Sequence, residues 1–141
     1  MSESPQHLRL VRAILTYVGR EFPDATALAV FDDTAVSASG ERPPRINGYV
    51  PDVYAADVPP SMTIIGEAKT RRDLETARSR EQIASFLHYL AHRPNGVFVL
   101  AVPITAVATA RMIVASSRRR EDPTTTRVVF LDGMPQGPTQ C

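Results

Sequence analysis

The sequence predicts an α/β fold in which a mixed central sheet is flanked by helices. Three observations predict it. Short apolar runs at 25–31, 49–55, 62–70, 97–102 and 126–131 have the length of strands. Apolar residues at helical spacing precede the first run and separate the last three. The first three strands follow one another directly, whereas the later ones alternate with helices, so antiparallel and crossover connections share one sheet.

Taken in order, Ser4-Pro5 is a helix start, with serine as N-cap and proline in the first turn. Leu8, Val11, Leu15, Val18 and Phe22 continue the pattern up to Pro23. The run 25–31 is a strand, and 33–47, with Ser, Gly, two prolines and several charges, is a loop. Strands 49–55 and 62–70 form a hairpin across Pro59-Pro60. Ile83, Phe86, Leu87 and Leu90 fall at i, i+3, i+4 and i+7, predicting an amphipathic helix over 79–92 that Pro94-Asn95-Gly96 ends. The continuous apolar run 97–102 is a buried strand. A helix over 105–121 turns Val107, Ala110, Ile113 and Val114 inward, and 126–131 is the last strand. The predicted order is α-β-β-β-α-β-α-β. Residues 1–132 form one domain, large enough for a real core, and 133–141, with two Pro and two Gly, is a frayed tail.

Composition narrows the function classes. Hydrophobic content of 43% and charged content of 22% are those of a soluble globular protein. No run reaches membrane-spanning length and no basic-then-apolar leader opens the chain, so the expectation is a cytoplasmic protein without a membrane partner. The single cysteine, Cys141, excludes a disulfide framework and a thiolate zinc cluster. Net charge is only +1, so a nucleic-acid partner must be met by a local basic patch.

One residue breaks the composition. Of sixteen cationic Lys and Arg residues, only Lys69 is lysine, and it stands in Gly66-Glu67-Ala68-Lys69-Thr70. Arginine is forked and permanently charged, whereas lysine is a compact ammonium with a tunable pKa, suited to chemistry at one oxygen atom. Alternation along the strand puts Glu67 and Lys69 on one face, and Ile64, Gly66, Ala68 and Thr70 on a small-residue face that a helix can approach closely. Across the predicted hairpin, Asp52 of Gly48-Tyr49-Val50-Pro51-Asp52 comes opposite Glu67. Two carboxylates that close repel, and a hard divalent cation such as Mg²⁺ relieves the repulsion.

Pro51-Asp52, then Glu67-Ala68-Lys69 at the end of an apolar strand, then Gln82 on the following helix resembles the PD-(D/E)xK nuclease superfamily. That group includes restriction enzymes, Holliday-junction resolvases and VRR-NUC-type nucleases. The resemblance spans roughly residues 5–104 and implies a restriction-endonuclease-like α/β sheet. It implies that Asp52 and Glu67, with the backbone carbonyl of Ala68, ligate Mg²⁺, with Mn²⁺ able to substitute. Lys69 would then orient or activate the attacking water, assisted by Gln82. The implied activity is metal-dependent endonucleolytic hydrolysis of DNA phosphodiesters, RNA not being excluded. Cutting two strands needs two sites, so a homodimer is expected. A catalytically inactive nucleic-acid-binding or assembly subunit retaining the fold is the alternative. Many resolvase-like members carry a glutamate in the first helix; 7–16 contains no acid here, which leaves Glu3 and Glu21 as candidates.

Other features carry weaker expectations. Arg42 and Arg45 precede the motif and Arg71, Arg72, Arg78 and Arg80 follow it, so both groups could contact the nucleic-acid backbone from the flanks of a cleft. Arg118-Arg119-Arg120 suits a helix C-terminus. Gln82, Ser85 and Tyr89 share one side of the 79–92 helix. His88 and His92 stand at i, i+4, but position 89 is Tyr and no third ligand is apparent, so they read as surface histidines; so does His7, although Glu3-Ser4 with His7 also resembles an acid-Ser-x-x-His entry helix of some superfamily members.

Overall fold

A computed structural model describes residues 4–22, 28–34, 40–57, 61–120, 122 and 126–133. The Ser4 hydroxyl accepts the His7 N–H at 3.1 Å and starts helix α1, Pro5–Glu21. Its buried stripe, Leu10, Val11, Ile14 and Val18, lies against one face of a five-stranded sheet. The strands are β1 (Ala29–Asp32), β2 (Val53–Ala56), β3 (Thr63–Ala68), β4 (Gly96–Ala101) and β5 (Arg127–Leu131), in spatial order β1-β2-β3-β4-β5. β2 runs antiparallel to both β1 and β3, and β3, β4 and β5 are parallel. The molecule is thus α/β with a mixed sheet, as the element order requires. The hairpin between β2 and β3 is present; its Pro59-Pro60 connection falls outside the described residues, as do Glu3, 23–27, 35–39 and 134–141.

Each face of the sheet carries its own core. Val53, Ala55, Ile64, Ala68, Val97, Val99 and Ala101 pack under α1. Ile65, Phe98, Leu100 and Val102 pack under helices α3 (Ala77–Ala91) and α4 (Val107–Ser117). Gly66 sets how closely α1 seats: a Cβ there would lie 2.5 Å from Ile14 Cγ2 and 3.2 Å from Val53 Cβ. The small-residue face of β3 is therefore the face that receives the helix.

Several boundaries differ from expectation. Both site strands are shorter than their apolar runs, so Asp52 stands just before β2 and Lys69 just after β3. Pro51 has no N–H to give a ladder, which helps to delay β2. Part of the predicted loop is ordered by a tight turn: Ile46 and Tyr49 exchange backbone hydrogen bonds of 2.7 and 2.9 Å around Asn47-Gly48, both at positive φ. That is the Asn-Gly hairpin geometry. A one-turn helix α2, Arg71–Leu74, capped by Thr70, occupies the charged segment after the motif. The predicted helix over 105–121 opens as a 3₁₀ turn at Ile104–Ala106 and α4 stops at Ser117, so Arg119 and Arg120 lie beyond it. Among the described residues no helix is long and apolar enough to cross a membrane.

Candidate functional site

The register of β2 against β3 decides where the acids meet. Val53 pairs with Gly66, so the next position outward sets Asp52 opposite Glu67. There the side chains take over the ladder. The Asp52 N–H donates to Glu67 Oε1 at 3.0 Å, and the Ala68 N–H donates to Asp52 Oδ2 at 2.8 Å. Each carboxylate thus terminates the other strand's hydrogen-bonding edge, which fixes both groups at one sheet end.

Lys69 continues the direction of β3, because its N–H donates to the Ala101 carbonyl of β4 at 3.0 Å. Alternation then returns its side chain to the Glu67 face, as the sequence predicts. Its Nζ lies 3.2 Å from Glu67 Oε2 and donates to Gln82 Oε1 on α3. Lys69 is 9% exposed and Glu67 3%. Burial first, and the Asp52 charge second, raise the Glu67 pKa well above the carboxylate range; the Lys69 ammonium opposes them without cancelling them. The donor set, two carboxylates with the Ala68 carbonyl beside them in sequence, is all oxygen, and a divalent cation offsets the stress that the acids place on each other. These residues fit Mg²⁺.

Two further polar groups border the pair. His7, in the first turn of α1, places Nε2 at 3.3 Å from Asp52 Oδ2. Among the described residues of α1, the side chain that reaches Asp52 is thus an imidazole. Its signal was the Ser4-Pro5 start, which fixes His7 one turn in. Asp32, 1% exposed, accepts from the Thr34 hydroxyl and pairs across the ladder with Val53. The neighbouring Asp33 N–H donates to the Asp52 carbonyl at 2.8 Å. Its signal was an acid pair ending an apolar run. Glu21 lies at the opposite end of α1 from His7, about 20 Å along the axis at 1.5 Å per residue. The fold does not bring it to the pair.

The arginines fall on both flanks. Arg42 donates to the Thr34 carbonyl and lies 3.5 Å from Asp33, next to the Asp52 backbone. Arg45 donates to the Gly48 carbonyl at 3.1 Å. The Asn47-Gly48 turn is docked on α3: Asn47 donates to the Ser85 hydroxyl at 2.9 Å, and the Tyr49 hydroxyl donates to Glu81 at 2.9 Å under the Arg78 guanidinium. Tyr89 meets the Tyr54 hydroxyl of β2 at 2.9 Å. The side of α3 bearing Gln82, Ser85 and Tyr89 is thus the side that fastens the site. Arg71, Arg72, Arg78 and Arg80 are exposed, and none forms an ion pair within 4.0 Å among the described residues.

No family model matches the chain, and neither a curated protein nor a solved structure does.

Proposed function

We propose that this chain is a Mg²⁺-dependent endonuclease of the PD-(D/E)xK type, acting on DNA phosphodiesters. The observation that carries the reading is the convergence of Asp52, Glu67, Lys69 and Gln82 at one end of β3 through direct hydrogen bonds and an ion pair. Chance matches to so short a motif do not in general bring all four side chains together.

Asp52 and Glu67, with the Ala68 carbonyl, would hold the ion, which when bound would polarise the phosphate and make water a stronger nucleophile. Gln82 and Glu67 fix the Lys69 ammonium beside the carboxylates, where it orients the attacking water and offsets charge growing on the phosphate. Water adds to phosphorus, the bond to one ester oxygen breaks, and that oxygen leaves with a proton. The exposed arginines of α2 and early α3, with Arg42 and Arg45 opposite, hold the backbone without reading sequence. Two copies are needed to cut both strands, so the active form is a homodimer.

The test is a panel of labelled substrates incubated with Mg²⁺ or Mn²⁺: duplex, single strand, four-way junction and RNA. Metal-dependent cleavage that Glu67→Ala abolishes, with nucleic-acid binding retained, supports the reading. Binding without cleavage of any substrate would replace it with the inactive-subunit alternative.

A further inference from the structure

The described residues hold a second group of metal-competent side chains, remote from the carboxylate pair. His88 and His92 stand one turn apart at the C-terminal end of α3. The connection from α4 to β5 brings Asp122 to them, with Oδ1 2.8 Å from His88 Nδ1. His92 Nδ1 donates to the His88 carbonyl at 2.9 Å. A carbonyl can only accept, so the His92 proton is on Nδ1 and its lone pair is on Nε2. The two rings lie 4.6 Å apart between centroids at 70°. One donor atom from each of the three side chains lies within 4.8 Å of the others. In a tetrahedral site with bonds of about 2.0–2.1 Å, ligand atoms stand roughly 3.3 Å apart. Small side-chain rotations therefore close the set. An open cleft of about 570 Å³, lined by His88, Tyr89, His92, Arg93 and Pro94, leaves a further coordination position to water.

We infer that His88, His92 and Asp122 bind a zinc-class divalent ion. His92 ligates through Nε2. The ion takes the place of the proton shared by His88 Nδ1 and Asp122 Oδ1, and that proton leaves to solvent. Two imidazoles and one carboxylate suit Zn²⁺, whereas Mg²⁺ takes oxygen ligands. His92 lies ten residues beyond Gln82 on α3, about 15 Å along the axis, so this site is separate from the carboxylate pair and stands or falls independently of the nuclease reading. Occupied, it clips the end of α3 to the segment leading into β5. The sequence alone shows only the histidine pair, because the third ligand is 34 residues away from His88.

The test is calorimetric titration of the chelator-stripped full chain with Zn²⁺ in millimolar Mg²⁺, which shields the carboxylate pair. The expected result is one Zn²⁺ per chain at micromolar or tighter affinity. Affinity should fall at least about 10-fold in His92→Ala and in Asp122→Asn and stay unchanged in Glu67→Gln. His92 is exposed, so its replacement leaves the core intact, and thermal denaturation without zinc checks this. No binding at about 100-fold above micromolar Zn²⁺, or unchanged affinity in either site variant, overturns the inference.

Discussion

Glu67→Gln should stabilise the metal-free protein. The substitution keeps the shape of the side chain and the acceptor for the Asp52 N–H, and removes one buried negative charge. Burial and the Asp52 charge both disfavour ionised Glu67; the Lys69 ammonium, 3.2 Å away, favours it. The first two outweigh the third. Lys69 keeps the Gln82 side-chain carbonyl as its acceptor after the substitution. A tenfold change in proton affinity is worth about 1.4 kcal/mol against the ionised form. A net gain of about 2 kcal/mol in the metal-free variant is expected at alkaline pH, or about 6 °C in Tm for a domain of this size. The sign of the pH dependence follows from the raised pKa. Folded Glu67 holds its proton to higher pH than unfolded Glu67, so its contribution to wild-type stability is fullest below the ordinary glutamate range and is lost as pH rises through the folded value. The variant's curve should be flatter over that range. Added Mg²⁺ should reverse the ranking: at 100 times its Kd it stabilises wild type by about 2.7 kcal/mol and should do little for the variant. Differential scanning fluorimetry across pH, with and without Mg²⁺, reads all of this. A lower metal-free Tm for Glu67→Gln at alkaline pH, or an undiminished Mg²⁺ shift in the variant, would refute the reasoning.

Three further outcomes are expected. Lys69→Arg keeps the charge but forces a longer fork into a slot between Glu67 and Gln82 that is 9% exposed, so Mg²⁺-dependent cleavage should fall by at least about 10²-fold in a gel assay with the circular dichroism spectrum unchanged. Arg71→Gln with Arg72→Gln should weaken duplex binding and reduce the slope of log K against log salt by about 1 for each phosphate no longer neutralised, measured by fluorescence anisotropy. Gly66→Ala pushes a methyl group into Ile14 and should cost about 1–3 kcal/mol in chemical denaturation, since the close approach of α1 to β3 leaves it no room.

The parts of the site legible in the sequence are those set by short-range periodicity. Alternation along 62–70 is enough to put Glu67 with Lys69, and a hairpin register brings Asp52 across from Glu67. Helical spacing from Ile83 to Leu90 is enough to place Gln82 on a helix, although the one-turn α2 comes between it and the motif. Strand ends were less legible, because apolar character continues past the last ladder bond at both Asp52 and Lys69. The Asn47-Gly48 turn is a departure from the loop expected over 33–47, and its docking on Ser85 depends on a hydrogen bond that spans 38 residues. His7 and Asp32 were obscured differently. His7 meets Asp52 only where α1 reaches the end of β2, and Asp32 lies in the strand beside it, which no local pattern in either segment shows.

α3 connects the two sites, and this changes how metal dependence has to be read. Its N-terminal half holds Lys69 through Gln82, and its C-terminal end carries His88 and His92. A chelator that strips both sites would abolish cleavage whether the essential ion sat on the carboxylates or on the imidazoles. Donor chemistry separates them. Mg²⁺ binds oxygen and does not compete for the histidine pair, so recovery of cleavage on adding Mg²⁺ alone assigns catalysis to Asp52 and Glu67. Zn²⁺ then acts only through the position of α3. In His92→Ala, cleavage at saturating Mg²⁺ should lose its response to added Zn²⁺ while keeping its response to Mg²⁺. If the Mg²⁺ response disappears as well, the assignment of catalysis to Asp52 and Glu67 without the imidazoles fails.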